Sequence, residues 1–194
     1  KTGTDEVKLD SLDLEEPVRF STKDPDLAGD TTWGRYAKAV VLAFSERGVD
    51  VPGIAGVLES TLPPGSGMSS SSALCLAIAK AFAAHSGVSL SKKELVLLAQ
   101  RAEHIVGVHC GNMDQSAIVH GEKGHAVLLD CRTLDAKPVA VDVPGYALVV
   151  GNTKKARGLV DSEYNKRRSE CEQAVVQLRA LLGRDEKSLE SLRD

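Results

Sequence analysis

An α+β fold is predicted for this chain by three observations. Apolar and polar residues alternate near its start, segments of helical spacing fill its middle, and a β-rich stretch broken by prolines precedes a last helical segment. Strands, helices and strands that do not strictly alternate argue against a doubly wound parallel sheet. Val7, Leu9, Leu12 and Leu14 are separated by charged or polar residues, as in strands with one wet face, and Asp24-Pro25 marks a turn. Over residues 32–47, Trp33, Tyr36, Ala37, Val40, Val41 and Phe44 recur at helical spacing, with Thr31 or Thr32 as cap and Gly48 as stop. A short alternating run at 54–58 leads to a break at 62–68, and an Ala-rich helix follows over 69–85. Ser91-Lys92-Lys93-Glu94 is a capping box that opens a helix through Leu95, Leu98, Ala99 and Ala102, ending near Gly107. Segments 126–130, 139–143 and 146–150, punctuated by Pro138 and Pro144-Gly145, predict a β-meander, and residues 161–182 return to helical period. No internal repeat, low-complexity tract or linker stands out.

The chain has 194 residues, 42% of them hydrophobic, within the range of one globular domain with a real core. A formal net charge of −3 with no Lys/Arg stripe argues against a nucleic-acid partner. Cys75, Cys110, Cys131 and Cys171 lie far apart and form no C-x-x-C pair, so they read as reduced thiols rather than a disulfide framework or a zinc site. His85, His104, His109, His120 and His125 have no metal-ligand spacing. Residues 1–9 hold no signal-like apolar run and no later segment reaches membrane-spanning length, so a cytoplasmic protein without a membrane partner is expected.

Two segments carry chemistry. Pro63-Pro64-Gly65-Ser66-Gly67-Met68-Ser69-Ser70-Ser71-Ser72-Ala73 is a Gly/Ser-rich turn running into a helix. Glycines admit close backbone approach to an anion, and a helix start offers unpaired N–H groups, so this is a candidate phosphate cradle. It lacks the Gly-Lys-Ser/Thr of a Walker A loop and the spacing of a dinucleotide fingerprint; the plainer alternative is a flexible Ser-rich loop before a helix. Cys110-Gly111-Asn112-Met113-Asp114-Gln115 is a polar turn with one carboxylate. Phosphoryl transfer to an alcohol uses such a group to accept or orient the hydroxyl proton, while a bare loop Asp is more often a turn former or helix cap.

Together these segments resemble the GHMP kinases, and the galactokinases among them. Gly-x-Gly-Met-Ser-Ser-Ser is similar to that family's phosphate-binding motif, and Cys-Gly-Asn-Met-Asp-Gln to the segment bearing its catalytic aspartate. The stretches 99–103, 124–132 and 162–168 resemble galactokinase sequence in the same order, so the likeness runs from about Trp33 to Cys171. It implies an α+β sandwich of mixed sheet and helices with a left-handed β-α-β crossover, residues 1–180 forming part of the N-terminal ATP-binding domain and 181–194 the beginning of a C-terminal domain or linker. It implies transfer of the ATP γ-phosphoryl group to the anomeric hydroxyl of galactose, with N-acetylgalactosamine phosphorylation or a catalytically silent sugar and ATP sensor as alternatives.

By the same resemblance Gly65, Ser66, Gly67, Met68, Ser69, Ser70 and Ser71 wrap the ATP phosphates, and Trp33 lines the adenine pocket, although its spacing alone makes it a core residue. Ser71 and Glu103 hold Mg2+, Asp114 is the catalytic base, and Gly111, Asp114 and Tyr164 contact the sugar. The implied partners are ATP and a hexose, galactose above all, bound by a monomer when full length. Lys154, Lys155, Arg157, Lys166, Arg167 and Arg168 form a basic stretch that reads as a solvated face or an attractor of ATP.

The match has departures. The family's motif Gly-Arg-x-Asn-x-Ile-Gly-Glu-His-x-Asp-Tyr, source of an arginine beside the base and of most sugar contacts, is expected upstream of this chain, and a further glycine-rich nucleotide motif downstream. The run from Glu103 to Asp114 is one residue shorter than in the family. A slip within the helix would turn a side chain by about 100° per residue, whereas a deletion near Gly107 leaves Glu103 on its face. Asn112 replaces an apolar residue, and Met68 a leucine.

Overall fold

Residues 3–63, 66–154 and 163–193 are described by the structure, a computed structural model, in which the side chains of Glu163 and Tyr164 are not described. The order is β1 (Glu6–Ser11), β2 (Val18–Ser21), α1 (Gly34–Ser45), β3 (Ala55–Leu58), α2 (Ser70–Ser86), α3 (Lys92–Val106), α4 (Met113–His120), β4 (His125–Asp130), β5 (Asp135–Ala140) and α5 (Glu163–Leu182). The expected α+β mixture is present.

β1 is the middle strand of a sheet ordered β2-β1-β3, antiparallel to β2 and parallel to β3. Its period of two buries Val7 and Leu9 and exposes Glu6, Lys8 and Asp10. Leu12 and Leu14 do not extend it. The Ser11 hydroxyl accepts the N–H groups of Asp13 and Leu14, both at 3.1 Å, and that local turn competes successfully with the strand. Parallel pairing of β1 with β3 requires a crossover, and α1 lies within it.

α1 enters close against β2: a Cβ built on Gly34 would stand 2.8 Å from Val18 Cγ2. Trp33 occupies the N-cap position without a side-chain cap bond, and the hydroxyl of Thr32 accepts the Gly34 N–H at 3.1 Å in its place. The stripe Ala37, Val40, Val41 and Phe44 then joins Cys75, Leu76, Ala79 and Phe82 of α2 and Leu95, Leu98, Ala99 and Ala102 of α3 in one core with Val7, Leu9 and Val18. The Phe44 and Phe82 rings meet edge to face, 6.4 Å between centroids.

α3 is fixed at both ends. Ser91 and Glu94 form the reciprocal capping box, and Gly107, at φ 100°, closes the helix in the left-handed region. Arg35 of α1 donates from Nη2 to the Val106 carbonyl at 2.9 Å, a cation placed on a helix C-terminus. α3 packs against α1, α2 and α4, which makes it the post from which the candidate site is built.

The expected meander is a hairpin only. β4 pairs antiparallel with β5, Pro138 lying opposite Val127, and residues 146–150 form no strand. Tyr146, Leu148 and Val149 are exposed. Their β-propensity is real, but a strand needs a partner edge, and β5 carries a proline with no N–H to offer.

Candidate functional site

The turn before α2 holds its shape through backbone geometry. Ser66 donates from both its N–H and its hydroxyl to the Pro63 carbonyl, at 3.4 and 2.7 Å. Gly67 has φ 76° and Ser69, the N-cap of α2, φ 59°. No side chain caps the helix, and the first helical bond runs from the Ala73 N–H to the Ser69 carbonyl. The N–H groups of residues 70–72 therefore face outward at the positive end of a 17-residue helix. A Cβ at Gly67 would meet nothing within 4 Å.

Glu103 projects from α3 beneath that end, only 2% exposed. Ser71 donates to its Oε1 at 2.7 Å and Ser72 to its Oε2 at 2.8 Å. Oε2 also accepts from the Gln115 amide and, at 3.6 Å, from the Cys110 thiol. Among the described residues Glu103 has no ion pair. Burial, and then the Glu103 charge, push the Cys110 thiol up to about 12, which keeps it a neutral donor.

α3 is regular through Val106, with Glu103 among its buried residues. The loop that follows is held on several sides. Gln100 and His104 both donate to the Cys110 carbonyl, at 3.1 and 2.8 Å, and Asn165 donates to the Gly107 carbonyl while accepting the His109 N–H. Asn112 donates to the Cys131 carbonyl at 3.0 Å, which ties the start of α4 to the β4–β5 hairpin. The polar side chain of Asn112 is thus an anchor.

Asp114 sits in the first turn of α4, half-buried, with no side-chain hydrogen bond or ion pair among the described residues. Its neighbour Gln115 is fully buried on Glu103. Ser71, Glu103 and the Asp114–Gln115 pair are thereby brought together from three helices. Gly111 lies exposed just before them. Met68 is exposed, in keeping with a loop position. Trp33 donates from Nε1 to the Glu16 carbonyl at 3.0 Å and packs on the core; its hydrogen bonds do not reach the turn or Asp114. Gly65 and the side chain of Tyr164 lie outside the described residues, as do Lys155 and Arg157.

The residues suit a magnesium ion in two respects. Ser71 Oγ and Glu103 Oε1 are hard oxygens 2.7 Å apart, close to the roughly 2.9 Å edge of an octahedron with bonds of about 2.0–2.1 Å. A carboxylate buried without a cation also gains from one. Among the described residues there is no cluster of three or more His, Cys, Asp or Glu, but magnesium typically takes one or two carboxylates and completes its shell with waters and phosphates. A separate open cleft of about 430 Å³ lies at the other end of α2, lined in part by Asp5, Lys23, Asp50 and His85.

Ser72, Gln115 and Cys110 went unsingled in the sequence as partners of Glu103. Their adjacency to Ser71 and Asp114 was the available signal, but contacts 31 and 12 residues apart are visible only once α2, α3 and α4 are packed.

Comparison with known proteins adds independent findings. Residues 35–122 match the GHMP kinases N terminal domain. The galactokinase of Bacillus subtilis is 44% identical over 175 residues, covering 89% of this chain and 42% of that protein. That of Clostridium tetani is 39% identical over 177 residues, covering 90% and 45%. The chain thus spans less than half the length of these curated relatives. Among solved structures, Lactococcus lactis galactokinase complexed with galactose superposes with a TM-score of 0.84 at 29% identity, over 91% of this chain and 47% of that one. Methanococcus jannaschii mevalonate kinase, at TM-score 0.52 and 20% identity over 62% of this chain and 39% of that one, shares the fold.

Proposed function

We propose, for a chain whose residues 35–122 match the GHMP kinases N terminal domain and which resembles galactokinases, that it is the ATP-binding part of a GHMP-family enzyme transferring the γ-phosphoryl group of ATP to the anomeric hydroxyl of galactose, yielding galactose 1-phosphate and ADP. The observation that carries the reading is the bonding of the Ser71–Glu103 oxygen pair, at the uncapped start of α2, to Gln115, the residue that follows Asp114. The galactose bound to the Lactococcus lactis enzyme supports galactose as the sugar.

In this reading the outward N–H groups of residues 70–72 and the backbone around Gly67 take the ATP phosphates, where a helix dipole and free donors favour negative charge. Ser71 and Glu103 would hold Mg2+, which supplies charge neutralisation on the phosphates. Asp114 accepts the proton of the attacking sugar hydroxyl and orients its oxygen; its carboxylate is free to do so because no described side chain occupies it. Gly111 and Tyr164 complete the sugar contact.

The test is Asp114→Asn in the full-length protein, with sugar-dependent ADP release and nucleotide affinity measured side by side. General-base help is typically worth about a hundred- to ten-thousand-fold, so turnover falls in that range. Nucleotide affinity holds, because the turn and the oxygen pair are intact. Near-normal turnover at saturating galactose and ATP would make Asp114 a structural turn residue and remove the mechanism.

A further inference from the structure

The Glu103 carboxylate is unevenly occupied. Among the described residues, Oε2 accepts from the Ser72 hydroxyl, the Gln115 amide and the Cys110 thiol, whereas Oε1 accepts only from Ser71. Ser72 and Gln115 are both buried and hold no ligand-facing surface. A carboxylate accepts and never donates, so only the Gln115 NH2 can face it, and the orientation of that amide is fixed by chemistry. The matching cost is visible on the far side, where Gln115 Oε1 is buried with no donor among the described residues. A buried amide kept in an incompletely satisfied setting marks a bond made for the sake of its partner.

We propose, resting on the reading of Ser71 and Glu103 as magnesium ligands, that Ser72 and Gln115 are positioning residues that saturate one carboxylate oxygen and present the other to the metal. Three donors on Oε2 fix the carboxylate plane and localise its interactions, leaving Oε1 as the single oxygen turned to Ser71. Outer partners of this kind orient a ligand and tune its affinity for the ion. The amide of Gln115 has a second effect. It ties the first turn of α4 to Glu103, so the carboxylate of Asp114, one residue earlier, is held at a constant offset from the metal oxygen. Metal site and base are therefore one mechanical unit although they lie on different helices.

The experiment uses the full-length protein and titration calorimetry with ATP, once with excess magnesium and once with chelator, alongside the magnesium dependence of turnover and thermal unfolding. The variants are Ser72→Ala, Gln115→Met, which keeps bulk and loses the donor, and Glu103→Gln as reference. Loss of an outer partner typically weakens metal affinity by about 10- to 100-fold. Ser72→Ala and Gln115→Met therefore raise the half-saturating magnesium concentration in that range, and metal-free ATP binds both as it binds the parent. Should Gln115→Met fail to fold, Ser72→Ala, a smaller change, decides alone. Unchanged magnesium dependence in the folded variants, or an equal loss with and without the metal, overturns the positioning role while Glu103→Gln still shifts the metal requirement. If Glu103→Gln shifts nothing, the metal reading itself fails and takes the inference with it.

Discussion

Gly67 and Ser69 both sit at positive φ, 76° and 59°, on either side of Met68. Backbone held in that region costs a side-chain-bearing residue of order 1–3 kcal/mol and persists only where surroundings impose it. For Gly67 the requirement is conformational and not spatial, since a Cβ would meet nothing within 4 Å. Gly67→Val consequently does two things: it resists the φ the turn needs, and it puts a branched side chain on the backbone proposed to take the phosphates. Nucleotide affinity of the full-length variant, measured by calorimetry, falls by at least about tenfold, while Gly67→Ala falls by less. Equal affinity for the valine variant would put the anion site elsewhere. At this scale the glycine was legible because turn chemistry is local. The partners of Glu103 were not, because no rule of local spacing joins Ser72 to a residue 31 positions away.

α1 is started by an electrostatic latch. Asp30 accepts from the N–H and hydroxyl of Thr32 at 2.8 and 2.6 Å and from Lys38 at 2.8 Å, and Thr32 in turn receives the Gly34 N–H. Burial pushes the Asp30 carboxyl up, but the Lys38 and Thr32 hydrogen bonds outweigh it and hold the group below its ordinary 3.8. A lowered carboxylate pKa gives stability that is complete above the unfolded value and lost as pH falls through the folded one. Hydrogen bonds to a charged acceptor contribute about 1.5–3 kcal/mol, so Asp30→Asn loses up to that amount near pH 7. In urea denaturation the gap between parent and variant narrows below pH 4; a gap constant from pH 7 to pH 3 would mean the charge of Asp30 is not its source. Elements with such chemistry at their ends were readable in advance: the capping box of α3 and the stops at Gly48 and Gly107 stand where spacing put them. Residues 146–150 carry strand propensity yet form no strand for the opposite reason, since propensity says nothing about whether an edge is available to pair with.

For the molecule as a whole, the site depends on α2, α3 and α4 being packed, yet its geometry is set by bonds at one end of that packing. Fold class followed from the order of patterned segments, and the roles proposed for Ser71, Glu103 and Asp114 from the resemblance to galactokinases. What composition could not supply was the route between them, because a contact such as Ser72 with Glu103, 31 positions apart, is a property of the assembled core. The two contributions separate at Phe82. Its ring is fully buried against Phe44, and it lies eleven residues along α2 from Ser71, about 16 Å at the helical rise. Phe82→Ala removes a large core side chain and costs about 3–5 kcal/mol. In a protein more than twice this chain's length, as its relatives are, each kcal/mol lowers Tm by less than the roughly 2–4 °C of a 150–250-residue domain. Below its lowered transition the full-length variant keeps turnover within about twofold of the parent and its magnesium requirement unchanged, because Ser71, Ser72, Glu103 and Gln115 still bond to one another. Thermal unfolding and turnover at low temperature check this directly. A turnover loss that tracks the loss of stability would show that the core, and not the Glu103 cluster, sets the distance between metal ligand and base.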